Sequence, residues 1–323
     1  MQRKAAQAPI RPDEAGHPGP RGPLALGFPV VDSHVHFPVN WKFPGLKPEV
    51  VRYRREAERR MRAAWGFPDP EPAPEPAEAE RRWLLEVERH GLARVVFVTG
   101  LSNAHLGSLV RAHPAVFSGY AFQSLATPES LAELRRAVEE DGLGGVKVIA
   151  PRFPLPFEDE SLRPVWDYLA ERRLPLLVHF GLLGGVGGLA AAPRMDPLSI
   201  HEMARAYPEI PIIVPHFGAG YWQELLFLAW SCPNVHVDTS GSNQWMRWMP
   251  YPLDLESLFR KAYETVGPER IIFGTDSSWF PRGFARAYLD EQVRVCRSLG
   301  LKEEELALIF GGNIARLLKM GLK

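Results

Sequence analysis

Cysteine is scarce in this chain. Cys232 and Cys296 are the only two in 323 residues. Two thiols exclude a disulfide-built scaffold. Neither stands at CxxC spacing, which removes a cysteine-based metal site, and both are expected to be reduced and buried. Net charge is absent too: 38 basic residues balance 38 acidic ones. That balance gives no electrostatic ground for nucleic acid or an anionic membrane as partner. No apolar run reaches the roughly 18 residues that a membrane span needs. No G-x-G-x-x-G follows the first strand pattern, which argues against a dinucleotide fold. The Gly-rich stretch GLLGGVGGLAAAPRMD at 181–196 lacks the Lys-Ser/Thr ending of a phosphate loop. The opening MQRKAAQAPIRPDEAGHPGPRGP is basic at its start but has no apolar core of a signal peptide. Its Pro, Gly and Ala content predicts a disordered arm over 1–27, and the cytoplasm is the expected location.

What is present is an alternation. Eight short runs rich in Val, Ile and Phe occur at 29–37, 93–100, 118–124, 144–150, 174–181, 210–218, 234–241 and 269–278. Gly, Pro or Asn bound them, as strands require. Amphipathic stretches such as AEAERRWLLEVERHG, SLRPVWDYLAERR and LDLESLFRKAYETVG lie between. Strands alternating with helices imply a parallel sheet, and eight of them favour a closed (β/α)8 TIM barrel. One domain is expected over 28–323. It carries an insertion at 40–77 after strand one and an extra helix, GGNIARLLKMG, at the C-terminal end. Loops after barrel strands lie at the active-site face, so the insertion reads as a lid, a dimer contact, or a surface helix with a stiff linker.

The chemistry concentrates at strand ends. His34-Val35-His36 closes the first strand, and residues i and i+2 of a strand share a face. Two imidazoles converging on one point suit a metal ion. His179 ends strand five in VHF, His216 ends strand six in PHF, and Asp276 follows strand eight in GTD. Strand eight closes against strand one, which brings Asp276 beside His34 and His36. A buried carboxylate needs a cation or several donors. Metal coordination with proton transfer is therefore the expected role of Asp276. His216 is expected either as an acid–base group or as a hydrogen-bond donor to the substrate oxygen.

In this order DSHVH, VHFG, PHFG, VDTSG, FGTDS and GGNIARLL resemble the amidohydrolase superfamily over roughly residues 28–320. The likeness is to its amidohydrolase-related (amidohydrolase 2) group of lactonases, hydrolases and aminocarboxymuconate-semialdehyde-type decarboxylases. The resemblance implies a distorted barrel with His34, His36, His179 and Asp276 around one divalent metal. His216 would be catalytic or a ligand of a second ion. Lys147, on strand four, stands where binuclear relatives carry a carboxylated lysine; in single-metal relatives it is only a polar neighbour.

Arg152 and Arg282 follow strands four and eight, and Arg suits bidentate capture of a substrate carboxylate. Trp279, with Trp41, Trp245 and Trp248, lines the pocket or packs the loops. Ser240 and Asp238 end strand seven and read as supports of the ligands, while His105, His201 and His236 read as structural or surface residues. The expectation is a metal-dependent hydrolase of a lactone, amide or ester of a small organic acid. The alternative is a nonoxidative decarboxylase of an aromatic or unsaturated acid. Zn is the expected ion, with Mn, Fe and Co as alternatives. Partners are expected to be a small-molecule substrate and, from the family, a second copy in a homodimer.

Overall fold

The computed structural model describes residues 26–40, 45–184 and 188–322. The expected arm lies outside the described residues apart from Leu26 and Gly27, and so does Trp41. Eight strands form one parallel sheet in sequence order. They are β1 (Val31–His36), β2 (Arg94–Thr99), β3 (Phe117–Phe122), β4 (Gly145–Ile149), β5 (Leu176–His179), β6 (Ile212–Val214), β7 (Val235–Asp238) and β8 (Ile271–Ile272). The barrel closes between β8 and β1 through a Val35–Ser277 bridge. Three backbone bonds run there: Ser33 N to Phe273 O, Asp276 N to His34 O and His36 N to Ser277 O, at 3.3, 2.8 and 2.7 Å.

Both faces of the strands are covered, which explains their continuous apolar runs. Val31, Val96, Val98, Tyr120, Leu177, Ile213 and Ile272 fill the barrel interior. The outward set, including Val35, Phe97, Val146 and Val178, packs under the helices. Those helices are α2 (Pro76–His90), α3 (Asn103–Ala112), α4 (Ser130–Glu139), α5 (Arg163–Arg172), α6 (His201–Ala206), α7 (Trp222–Ser231), α8 (Leu255–Val266) and α9 (Arg286–Ser298). Their ends carry the expected signals. Pro76 opens α2 and Gly91, at φ 65°, closes it; Ser102 and Asp254 cap α3 and α8 through their side chains.

After α9 the chain runs through α10 (Glu303–Ala307), a π-helical turn (Leu308–Gly312) and α11 (Asn313–Leu317). Ile314, Leu317 and Leu318 pack onto the interior cluster together with Ala93 at the entrance to β2, so the tail plugs the N-terminal end. Within GGN, a side chain at Gly311 would stand 2.6 Å from the Pro29 carbonyl oxygen. Asn313 donates to Pro268 O and Ile271 O at 2.6 and 2.8 Å. This motif therefore builds the closed end, leaving the opposite end for chemistry.

The insertion lies at that opposite end. Its helix, α1 (Pro48–Ala64), buries none of its own residues, and an extended Pro-rich stretch follows it to α2. Arg54 packs on Gly188 after β5, and Met61 Sδ receives a hydrogen bond from Ser242 after β7 at 3.5 Å. Trp65 and Phe67 meet Tyr288 of α9 at 4.7 and 5.4 Å between ring centres. Glu71 N donates to Phe280 O at 2.8 Å. The segment thus spans loops from three strands.

Two ends differ from the sequence expectation. The ladder of β6 stops at Val214, because Pro215 has no N–H to continue it. His216 therefore stands two residues beyond the strand. The pairing of β8 covers only Ile271 and Ile272, so Asp276 lies beyond it in a loop, at φ 57°.

Candidate metal centre

β1 is irregular where it matters. Its register against β2 shifts on both sides of Val35, a bulge of the kind found beside active sites. Val35 packs outward, and the two histidines meet the neighbouring loops of the mouth. His34 Nδ1 lies 2.6 Å from Asp238 Oδ2, and His36 Nδ1 lies 2.6 Å from Thr99 Oγ1. Each imidazole is thereby anchored through Nδ1 and presents Nε2. Asp276 Oδ1 lies 3.1 Å from His36 Nε2 and 3.9 Å from His34 Nε2. Among the described residues these three alone form a cluster of possible metal-binding atoms, all within 4.8 Å of one another.

The arrangement passes a direct test of fit. His34 Nε2 is buried and has no hydrogen-bond partner. Leaving a buried polar atom unpaired costs about 1–3 kcal/mol. A divalent ion removes that cost, and carboxylate–imidazole support of the kind Asp238 gives is what metal-bound histidines use. Burial, reinforced by the charge of Lys147, holds the His34 pKa well below the usual range, so the ring is neutral and its lone pair is free. Burial pushes Asp276 up, but His216 and the hydrogen bond from His36 outweigh it and hold the carboxyl well below its usual range.

His179 and His216 stand one step away. Their ring centres are 5.1 Å apart, and His216 is 5.0 Å from His34. His179 Nε2 lies 3.1 Å from Leu182 O, and the residue falls outside the three-member cluster. Burial, then His216, holds its pKa well below normal. His216 Nδ1 lies 3.1 Å from Ser240 O and 3.0 Å from Ser240 Oγ. A proton on Nδ1 directed at that carbonyl leaves Nε2 as the acceptor.

The backbone holding His216 is unusual. His216, Phe217, Gly218, Ala219 and Gly220 have φ of 58, 48, 80, 46 and 100°. Left-handed geometry costs a residue with a Cβ roughly 1–2 kcal/mol, and it normally occurs singly. Packing sustains the run here. Phe217 is wedged between Trp222 and Phe259, at 5.5 and 5.4 Å. Trp245 Nε1 donates to His216 O at 3.1 Å, and Leu182 N to Ala219 O at 2.9 Å. Strain sustained by surrounding structure is typical of functional sites.

Lys147 sits on β4, in register with Phe122 and Leu177, and is 2% exposed. Burial lowers it to about 8, against the pull of Asp238 and Asp276. Among the described residues no hydrogen bond or ion pair closes on its ammonium, and it is not in the ligand cluster. Asp32, fully buried, accepts from Thr275 N and Oγ1 at 2.9 and 2.5 Å, tying β1 to the loop carrying Asp276.

The remaining candidates spread out. Arg152 is exposed on a single turn after β4. Arg282 donates to Asp276 O at 2.8 Å, with Trp279 beneath its guanidinium at 4.8 Å. Trp245 supports the His216 turn, whereas Trp248 is 67% exposed. His236 is buried on β7 against Asn234 O, His201 meets Glu202, and His105 packs edge-on to Phe37. Cys232 and Cys296 are buried and unpaired. Thr99, Phe67, Tyr288 and the left-handed turn escaped the sequence reading. No motif marks a distant hydroxyl or a positive φ at His, Phe and Ala.

Comparison with known proteins agrees with this fold. Protein fluG of Emericella nidulans is 25% identical over 138 residues, which are 40% of this chain; the chain spans 15% of that protein's length. The zinc-bound structure of an amidohydrolase from Burkholderia multivorans superposes with a TM-score of 0.61 at 18% identity, covering 91% of this chain and 100% of that one. The 5-carboxyvanillate decarboxylase of Sphingomonas paucimobilis gives 0.59 at 17% identity, covering 92% and 100%. A family model described as Amidohydrolase matches residues 31–320. That match takes in every strand of the barrel and the whole histidine–aspartate mouth, and the chain belongs to the amidohydrolase family.

Proposed function

We propose that the protein is a metal-dependent hydrolase that cleaves a lactone, amide or ester of a small organic acid. The observation that carries this reading is the buried, unpartnered His34 Nε2 facing Asp276 Oδ1 beside His36 Nε2. His34, His36 and Asp276 would hold one divalent ion, with His179 as the fourth ligand of the proposal and Zn favoured over Mn, Fe or Co. When bound, that ion supplies Lewis acidity, polarising a substrate oxygen and lowering the pKa of a water toward ~7.

The chain's own groups do the rest. Asp276 Oδ1 faces the two histidines, while Oδ2 faces Gly241, whose missing side chain leaves the approach open. Asp276 takes a proton from the attacking water and returns it to the leaving oxygen or nitrogen. His216, its Nδ1 held by Ser240, offers Nε2 toward the substrate. Lys147 keeps the floor of the site electropositive beneath it. The insertion, through Met61, Trp65 and Glu71, would cover part of the mouth.

One observation favours a second reading, nonoxidative decarboxylation. Phe67, Trp279 and Arg282 make an aromatic, cationic wall at the mouth, which suits a planar carboxylated ring. Asp276 or His216 would then deliver the proton to the carbon that loses carbon dioxide. The test uses protein purified without chelator and analysed for metal. It is then incubated with a panel of lactones and a panel of carboxylated aromatics. About one metal per chain and ring opening support the hydrolase. Carbon dioxide release from the second panel with inertness toward the first moves the assignment to the decarboxylase. Absence of metal binding after addition of Zn or Mn refutes both.

A further inference from the structure

The loop after β7 grips His216 from two sides. Ser240 meets the ring at Nδ1 through its carbonyl and its hydroxyl, at 3.1 and 3.0 Å. Further along, Trp245 Nε1 donates to the His216 carbonyl at 3.1 Å. Between those contacts stands Asn243, at φ 48°, a left-handed geometry that Asn adopts more readily than most residues. Its Nδ2 donates to Thr239 O and Gly241 O, each at 3.3 Å, and its Oδ1 accepts from Trp245 Nε1 at 3.3 Å. A side chain at Gly241 would stand 3.3 Å from His216 Nδ1, so the loop passes close beside the ring.

A residue of α9 sets the shape of this loop. Gln292, in the middle of that helix, is 2% exposed. Its Oε1 accepts from Thr239 Oγ1 at 2.6 Å, and its Nε2 donates to Thr239 O at 3.2 Å. The amide thus grasps the side chain and the backbone of one residue, which fixes its own orientation. Thr239 O takes donors from Gln292 and Asn243 together, using both lone pairs. Thr239 N donates to Ile272 O of β8 at 2.9 Å, so the residue directly before Ser240 is held from three elements. Burying an amide is costly unless it is hydrogen-bonded, and an apolar side chain would serve the packing of α9 equally well. The loop, not the helix, is what requires the amide.

We propose that Gln292 and Asn243 are positioning residues for His216: through Thr239, Ser240 and Trp245 they fix where its ring points and which of its nitrogens carries the proton. This deepens the reading above and rests on it for the part His216 plays in turnover. The physical cause is the direction of one carbonyl. With Ser240 O facing Nδ1, the proton sits on Nδ1 and Nε2 is the acceptor. When Thr239 is released, Ser240 O turns and the ring loses the partner that selects its tautomer. Without Asn243, Trp245 loses a partner too, and with it the anchor on the His216 carbonyl loosens. Neither Gln292 nor Asn243 belongs to the cluster of possible metal-binding atoms, so metal binding is independent of both.

The test uses the full chain with ¹⁵N-labelled histidine, loaded with Zn, and His216→Gln to assign the His216 signals. Two-bond proton–nitrogen correlation spectra at one fixed pH distinguish the tautomers. Wild type is expected to show the Nδ1–H form alone, and Gln292→Met a mixture. Gln292→Met also strands the buried Thr239 hydroxyl, which lowers stability by itself. The double variant Gln292→Met/Thr239→Val removes both polar partners, so it should regain the wild-type urea midpoint and still show the mixture. Thr239→Ser keeps the hydroxyl and should match wild type. Asn243→Gly accepts the positive φ while deleting the side chain, should give the same mixture, and serves if the Gln292 variants fail to fold. Chelator competition should return the wild-type metal affinity throughout. With a lactone or carboxylated aromatic that is turned over, the double variant should lower kcat about 10–100-fold at unchanged KM, as displacement of a reacting group by about 1 Å does. A single Nδ1–H form in the double variant and in Asn243→Gly overturns the proposal. So does an Nε2–H form in wild type, or a metal affinity that falls in these variants. A mixed tautomer in the variants with no turnover by wild type leaves this inference standing and sinks the reading above. Turnover that the variants retain in full, with wild-type spectra, does the reverse.

Discussion

Asp238 and His34 are bound to each other at 2.6 Å in the closed interior of the barrel, and the far nitrogen of His34 is left buried and bare. Burial pushes the Asp238 pKa up, while His216 and the Ser240 N–H pull it back. The carboxylate thus fixes which imidazole nitrogen carries the proton. Asp238→Asn keeps the shape and removes that control. Metal affinity should fall about 10–100-fold, as for other supporting carboxylates. A chelator competition titration measures it, and unchanged affinity would show that Asp238 does not orient the ligand.

Asp276 is expected to combine ligation with proton transfer. Asp276→Asn should lower turnover by about 10²–10⁴-fold, the usual worth of a positioned acid–base group. Elemental analysis of the same variant separates the two roles. Metal retained with activity lost assigns the proton transfer, while metal lost assigns ligation. Full activity would remove Asp276 from the mechanism.

Gly181 and the left-handed turn at His216 are built against each other. A Cβ at Gly181, which has φ of 72°, would lie 2.4 Å from Ala219 O and 2.5 Å from Gly218 O. Gly181→Ala should therefore cost about 1–3 kcal/mol, as overpacking does. It should also move His216 away from Ser240. Urea denaturation gives the first quantity, and the ¹⁵N shifts of the His216 ring give the second. A wild-type midpoint together with wild-type shifts would contradict the coupling.

His236 gives the fold a pH dependence away from the mouth. Burial lowers its pKa to about 4, and Arg316 and Arg270 add to that against the Asn234 carbonyl. The unfolded chain takes up this proton near its ordinary value of 6.5, so between pH 6.5 and about 4 the unfolded state holds more protons. Stability should fall as pH drops through that window, by at most about 1.4 kcal/mol per pH unit for this group. His236→Gln should flatten that part of the decline relative to wild type. Equal slopes in urea midpoints measured from pH 7 to pH 4.5 would exclude it.

The barrel was legible in the residues because its signal is periodic. Eight apolar runs between amphipathic helices have few ways to bury both faces of every strand, and the observed order is sequential. Strand ends were less legible. Val214 and Ile272 end their ladders early, because Pro215 lacks a donor and β8 leaves the sheet after two residues. His34, His36 and Asp276 could be grouped in advance, since closure of strand eight on strand one brings them together whatever the details.

What the sequence by itself determined was thus the fold, the end of the barrel that carries chemistry, and the residue types gathered there. Tertiary structure alone decided which nitrogen each histidine presents, because Asp238 and Thr99 lie 204 and 63 residues from their partners. It decided the left-handed turn under His216, which rests on Phe217 packing and on Gly181. It also brought Phe67 over Arg282, although they are far apart in the chain. Such contacts leave no trace in local spacing: they depend on where loops from different strands meet, and that is set by the closed barrel as a whole.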